Sequence, residues 1–307
     1  MILCAGEALI DMLPRETAAG EAAFAPHPGG AVFNTAIALG RLGAATGFFS
    51  GLSTDLFGQL LDASLAASNV DAGLAVRSDR PTTLAFVTLT DGQARYAFYD
   101  ENTAGRMLGA ADLPPLPDRI GAVFFGGISL MVEPCGSAYE ALMLREAGRR
   151  VTMIDPNIRP GFIADEAAYR ARIGRMVAAA DIIKISDEDL HWLEGPGDVS
   201  DLARGLLDKG PGLVLLTQGA EGARAFGPAA EARVAAGQVT VVDTVGAGDT
   251  FNAGILAALD RACLLQKTAV RRLSQDAMTD ALSLAVRAAA VTVSRAGANP
   301  PWAGELA

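Results

Sequence analysis

The chain has 307 residues, half of them hydrophobic and a fifth charged, which is enough for one large domain or two ordinary ones and is far from the composition of a disordered chain. A formal charge of −10 lacks the basic footprint of a nucleic-acid or lipid-surface binder, so an anionic ligand must be held locally, by amides, a few Arg or Lys residues, or a metal. Cys4, Cys135 and Cys263 form no Cys-x-x-Cys pair, and His27 and His191 are the only histidines; a disulfide framework, a zinc cluster and a Ser-His-Asp hydrolase are all disfavoured, and with no basic leader or membrane-length apolar run the expected location is the cytoplasm.

Met1 to Met12 is a short apolar run through Gly6, consistent with a buried first strand. Glu7-Ala8-Leu9 after that glycine removes the G-x-G-x-x-G dinucleotide fingerprint, and no stretch reads GxxxxGK[ST]. Asp11 is the one charge within three residues in this apolar setting, either a ligand group or a strand-end surface residue. Next, Gly29-Gly30 opens a helix-patterned run from Ala31 to Leu42 that Gly43 should stop. The glycine pair permits close approach of a ligand to the main chain, and Asn34 in the first turn offers a donor and an acceptor to a hydroxyl; a local cap is the alternative.

Thr82 to Ala97 reads as two β-rich runs joined by Asp91-Gly92 hairpin chemistry. A hairpin interrupting strand-helix alternation suggests an appendage, and Phe98 at its end either stacks on a ligand or anchors the hairpin to the body. From Ala122 onward strand-like and helix-like segments alternate regularly: 122–128, a helix near 137–147, 151–155, a helix over 166–179, 182–185, a helix after Asp187, and 213–217. That rhythm predicts an α/β, doubly wound, mainly parallel sheet with helices on both faces, whose ligand crevice lies beyond the carboxyl ends of the strands. The polar groups at those ends are Asp155-Pro-Asn157-Ile-Arg159-Pro160, Ser186 to Asp189, and Thr217-Gln218-Gly219. Arg159, stiffened by flanking prolines, suits a phosphate or an acid, or else a surface ion pair; the acidic cluster after Ser186 would elsewhere be a helix N-cap.

The most informative stretch is Val241-Val242-Asp243-Thr244-Val245-Gly246-Ala247-Gly248-Asp249-Thr250-Phe251, read as a strand-like run joined to a helix by a turn of small residues. The glycines let successive amides converge at the positive end of the helix, which favours an anion, and Asp249 sets a carboxylate beside it as a proton acceptor. That combination is what phosphoryl transfer to an alcohol requires, although the turn by itself reads equally well as plain architecture.

Gly29-Gly30 with Asn34, followed far along the chain by Asp243-Thr-Val-Gly-Ala-Gly-Asp249, resembles the paired signatures of the ribokinase-like (PfkB-type) carbohydrate kinases, over essentially the whole chain and in the right order. Asp155-Pro-Asn-Ile-Arg-Pro160 and the Phe33 to Ala36 context look most like bacterial fructokinases. The resemblance implies a single ribokinase-like domain over 1–307, with a small β lid formed by about 12–25 and 82–100. It implies Asp249 as base, with Gly246, Ala247 and Gly248 as the anion hole. Asp11, Gly29, Gly30, Asn34, Phe98 and Arg159 would line the sugar side. Ser186, Thr217, Gly219 and Gly222 would border ATP, with Ala288 and Ala289 at the adenine. Asp189 would organise Mg2+ through water, in a context where the family often shows Asn-x-x-Glu and this chain has Ser186 in place of the Asn; Asp243 would belong to a monovalent-cation (K+) site. The implied reaction is ATP-dependent phosphorylation of fructose, with 2-keto-3-deoxygluconate, ribose or an aminoimidazole riboside as other acceptors, and a catalytically silent sugar- or nucleotide-binding protein as the reading from another class. Partners are expected to be sugar and ATP, with no nucleic acid and no membrane, and a homodimer formed through the lid.

Overall fold

The computed structural model describes residues 1–90 and 93–306. In chain order its main elements are β1 (Ile2–Ala5), β2 (Leu9–Glu16), β3 (Ala22–Gly29), α1 (Ala31–Arg41), β4 (Thr46–Phe49), β5 (Gly51–Ser53), α2 (Leu56–Ala67), β6 (Val70–Asp71), β7 (Val76–Ser78), β8 (Leu84–Thr90) and β9 (Gln93–Tyr99). The second part contains β10 (Ala122–Gly126), α3 (Cys135–Glu146), β11 (Val151–Asp155), α4 (Glu166–Ala179), β12 (Ile182–Ser186), α5 (Asp187–Glu194), α6 (Val199–Leu207), β13 (Leu213–Thr217), β14 (Ala223–Phe226), β15 (Glu231–Val234), α7 (Ala247–Arg261), α8 (Lys267–Val270) and α9 (Gln275–Val293).

Among the described residues the central sheet runs β15-β14-β13-β12-β11-β10-β1-β4-β6. Its pairings from β6 through to β13 are parallel, and only the β13-β14-β15 edge is antiparallel. Strand residues alternate between two cores, as a pleated strand covered on both faces must. Ile2, Cys4, Phe124, Met153 and Ile182 pack with α1, α7 and α9 residues, whereas Leu3, Ala5, Phe125, Ile154 and Ile183 pack with α3, α4 and α6 residues. This alternation sets Asp155 and Lys184, each two residues beyond a member of the first core, on the α7 side of the sheet.

The apolar run over residues 1–12 is two strands rather than one. Gly6-Glu7-Ala8 separates β1, in the central sheet, from β2, which belongs to a four-stranded sheet of order β3-β2-β8-β9. The two segments expected to form the lid thus supply all four strands of that sheet, with β2 beginning before residue 12 and β3 ending after residue 25. The expected Asp91-Gly92 turn lies outside the described residues. Val241-Val242, expected to continue a strand into the site, is irregular and bends at Val242: both side chains are exposed, β15 has already ended, and the Val242 amide donates to the Val293 carbonyl instead of a ladder partner. No helix among the described residues is long and apolar enough to cross a membrane.

Candidate active site

Helix α7 begins directly from the glycine turn. Gly246 is the N-cap with φ of 78°, a left-handed conformation that L side chains avoid, and a Cβ there would lie 2.7 Å from the Ala298 Cβ. The amides of Gly246, Gly248 and Asp249 find no acceptor among the described residues, as expected for the first turn of a helix without a side-chain cap. They form the free positive end of a 15-residue helix.

Asp249 is buried at this end. Its Oδ2 accepts from Asn34 Nδ2 at 3.0 Å, and the Thr35 hydroxyl donates to its carbonyl at 3.3 Å, so two residues of α1 locate the first turn of α7. Burial lifts the Asp249 carboxyl from 3.8 to about 7; the Asn34 bond and the Lys184 ammonium oppose that rise, and the Asp155 and Glu7 carboxylates add to it. A base with such a proton affinity is matched to neutral pH.

Behind the turn sits a buried polar cluster contributed by three elements. Lys184 Nζ donates to Asp155 Oδ2 at 3.0 Å, and Asn252 Nδ2 donates to the same oxygen at 2.7 Å. The ammonium also abuts the cradle, since a Cβ on Gly248 would fall 3.2 Å from Nζ. Asp155 Oδ1 and Asn252 Oδ1 are buried with no hydrogen-bond partner. Two orphaned acceptors beside an anion cradle fit a cation or its water shell, because a buried oxygen left unpaired is otherwise costly. Asp189, one turn into α5, lies in the same field: burial raises its proton affinity and the Asp155 charge adds to the rise. Ser186 caps α5, its hydroxyl accepting from the Asp189 amide at 3.0 Å, so this residue performs the capping alternative. No group of three or more His, Cys, Asp or Glu side chains among the described residues, this cluster included, is arranged to hold a metal ion by itself.

The turn, Asp249 and Lys184 open into one cleft of about 360 Å3, lined by Asp11, Gly30, Asn34, Phe98, Arg159, Gly246, Gly248 and Asp249 from the sequence-predicted set, and by Glu7, Asn157, Lys184 and Thr244 in addition. Gly30, with φ of 107°, caps α1 and leaves 3.2 Å between a would-be Cβ and both Glu7 Cγ and the Glu7 carbonyl. Gly29 stands behind the wall rather than on it: its missing side chain makes room for Asp11, whose Oδ2 would be 2.2 Å from a Cβ there. Burial pushes the Asp11 carboxyl to about 6. Phe98 meets Phe162 edge-on at 4.6 Å between centroids, which anchors the small sheet to the body, and it also lines the cleft. Arg159 is exposed; its Nη1 donates to the Asn157 and Ile158 carbonyls at 3.3 and 2.9 Å, which curls the guanidinium over its own loop at the cleft edge.

The remaining predicted residues lie outside the cleft lining. Ala247 begins α7, and its amide donates to the Thr244 carbonyl, which removes it from the cradle of free donors. Thr217 pairs with Ser186 at the carboxyl ends of β13 and β12, and Gly219 and Gly222 shape the turn that follows, each at positive φ. Ala288 is fully buried in α9 and has no surface to offer an adenine; the adjacent Ala289 is half-buried. The reason is close helix packing, since Gly254 of α7 has Ala285 of α9 directly against it. Asp243 accepts at both oxygens, from the Val245 amide at 3.0 Å and the Gly297 amide at 2.9 Å, tying the loop before α7 to the loop after α9. Sequence reasoning misses Lys184, Asn252 and Glu7; a lysine inside Ile182-Ile183-Lys184-Ile185 is the one that carries a signal, because a charge in an apolar strand needs a partner.

The chain matches the model for the pfkB family carbohydrate kinases over residues 1–303. It is 56% identical to a fructokinase of Rhizobium leguminosarum bv. trifolii over 278 residues, covering 91% of this chain and 85% of that one. Among solved structures, fructokinase from Xylella fastidiosa with bound ATP superposes with a TM-score of 0.87 at 28% identity, covering 97% of this chain and 93% of the other. A double-mutant fructokinase from Vibrio cholerae O395 in a fructose-, ADP- and potassium-bound form gives 0.85 at 25% identity with the same coverage.

Proposed function

This chain belongs to the pfkB family of carbohydrate kinases, and from that premise we propose that it transfers the terminal phosphoryl group of ATP to the primary hydroxyl of fructose, giving fructose 6-phosphate and ADP. The observation that carries the assignment to this cleft is Asp249: a buried carboxylate with proton affinity near neutrality, fixed by Asn34 in the turn whose free amides form an anion cradle. In this reading the sugar is held by Asp11, Gly30 and Asn34, with Gly29 making room for Asp11. Asp249 takes the hydroxyl proton as the oxygen attacks phosphorus and the bond to ADP breaks. The free amides of Gly246, Gly248 and Asp249 receive the negative charge spread over the transferring group, and Lys184, held in place by its ion pair with Asp155, adds a fixed positive charge beside them. Arg159 covers the phosphate from the cleft edge, and Phe98 helps the small sheet to exclude water as a lid.

The nucleotide runs from the cradle past Ser186 and Thr217 toward Gly219, Gly222 and Ala289. Mg2+ carried with ATP would neutralise phosphate charge; Asp189 through water, with the unpaired Asp155 and Asn252 oxygens, would hold it. Asp243 belongs to a potassium site beside the cradle, a reading supported by the potassium in the Vibrio relative. Phe24, Phe86 and Tyr99 stack edge-on at 5.0 and 5.4 Å along the small sheet, with Phe24 and Tyr99 exposed, which supports a homodimer through that sheet. A cytoplasmic location accords with the need for ATP. A substrate panel of fructose, 2-keto-3-deoxygluconate, ribose and aminoimidazole riboside, assayed for ADP release in potassium and in sodium, tests the proposal: fructose should give the highest kcat/KM, and no turnover with any sugar would refute it.

A further inference from the structure

Glu7 is a buried carboxylate to which the mechanism above gives no task. It lies two residues beyond β1 and lines the cleft beside Gly30 and Asn34. Its Oε1 accepts from the amides of Ala31 and Val32 at 2.9 and 3.4 Å, and its Oε2 from the Ser129 amide at 3.3 Å. Helix α1 has a glycine N-cap with no side-chain bond and no acidic residue in its first turn. Glu7 therefore supplies, from 24 residues away, the capping acceptor and the negative charge that a helix N-terminus favours. Two glycines are tied to this carboxylate: Gly127, at φ of 69°, would bring a Cβ within 2.0 Å of Glu7 Oε1, and Gly30 would bring one within 3.2 Å of its Cγ.

The same helix carries the two groups that hold Asp249, namely Asn34 through its side-chain amide and Thr35 through its hydroxyl. The chain of contacts runs from the end of β1 to the start of α1 and then to the base at the start of α7. We propose that Glu7 is a positioning residue of the phosphoryl-transfer site, which fixes the N-terminus of α1 so that Asn34 holds Asp249 in line with the sugar hydroxyl. The inference rests on the kinase reading. It assigns Glu7 no contact with either substrate; Glu7 acts through Asn34.

A local cap that only stabilised α1 would cost folding without caring whether Asn34 is present, whereas a positioning role couples the two residues. The test is a cycle of Glu7→Gln, Asn34→Ala and the double variant, each measured for fructose-dependent ADP release after the folded fraction is set by circular dichroism and melting. Glu7→Gln keeps volume and one acceptor but puts an NH2 group against a backbone N–H. It should lower kcat about 10-fold in the native background, a smaller shift than the displacement near 1 Å that costs aligned reactants roughly 10²-fold, and less than about 2-fold in the Asn34→Ala background. Equal losses in both backgrounds, or no loss in either, overturn the inference. If Glu7→Gln fails to fold, Glu7→Asp, which keeps the charge and shortens the reach by one methylene, carries the same cycle with the same two outcomes. Absence of turnover by the unmodified protein with every sugar of the panel would instead overturn the kinase reading, so the two failures are told apart.

Discussion

Replacing Asp249 by Asn keeps the shape of the side chain and removes its capacity to take a proton. A positioned general base contributes roughly 10²–10⁴-fold, so kcat should fall by at least about two orders of magnitude. The structure also predicts an opposite effect on stability. A carboxyl whose value rises from 3.8 in the open chain to about 7 in the fold binds its proton more tightly when folded. Its contribution to stability is therefore greatest at low pH and declines as pH rises from about 4 to about 7, above which the fold holds a buried anion at full cost. The gap corresponds to on the order of 4 kcal/mol as a ceiling, since each tenfold change in proton affinity is about 1.4 kcal/mol. Asn carries no such cost. Asp249→Asn should thus be nearly inactive yet gain stability over the native protein with rising pH, a gain that levels off above about pH 7, the value to which burial lifts this carboxyl. Coupled ADP-release assays, kcat/KM from pH 5.5 to 9, and denaturant unfolding at pH 5 and 8.5 measure the three quantities. In the native protein kcat/KM should drop about tenfold per pH unit below the value of the base. A variant keeping more than a tenth of native kcat, or a stability difference that does not change with pH, would refute this account of the site.

Lys184→Met removes the charge beside the cradle and leaves Asp155 buried without its cation; it should lower kcat by about 10²-fold and destabilise the fold by roughly 3–5 kcal/mol, read by ADP release and by urea unfolding. Gly246→Ala forces a side chain into a left-handed backbone against Ala298, so both stability, by about 1–3 kcal/mol, and kcat should fall, and an unchanged kcat would show that the turn is not the anion hole. Asp11→Asn should raise the KM for fructose about tenfold or more while changing kcat less, because the carboxylate meets the sugar rather than the phosphate. In the native protein that KM should itself rise on the acid side as Asp11, held at about 6, takes up a proton.

Local features of this protein are legible in its sequence. The alternation that builds the parallel sheet, the stop at Gly43 and the glycine turn before α7 depend on residues within one or two turns of each other, where periodicity and backbone permissiveness act. The same is true of Asp249 and Asn34 as chemical groups, although their mutual hydrogen bond spans 215 positions. Other features are settled only by packing in three dimensions. Val241-Val242 has a strand's composition but joins no sheet, its Val242 amide donating instead to the Val293 carbonyl at the end of α9. Ala288 has the small size suited to a ring and is sealed instead in a helix contact. Lys184, Asp155 and Asn252 come from three elements up to 97 positions apart, and their pairing follows from the register of β11 and β12 and the placement of α7 over that face. Glu7 caps a helix it does not belong to. Residue types and short-range spacing determined which chemistry this protein could carry, because turns, caps and alternation are local. Tertiary structure decided which buried charges meet and which glycines make way for them, because the cost of burying a charge depends on partners that only the folded chain brings together.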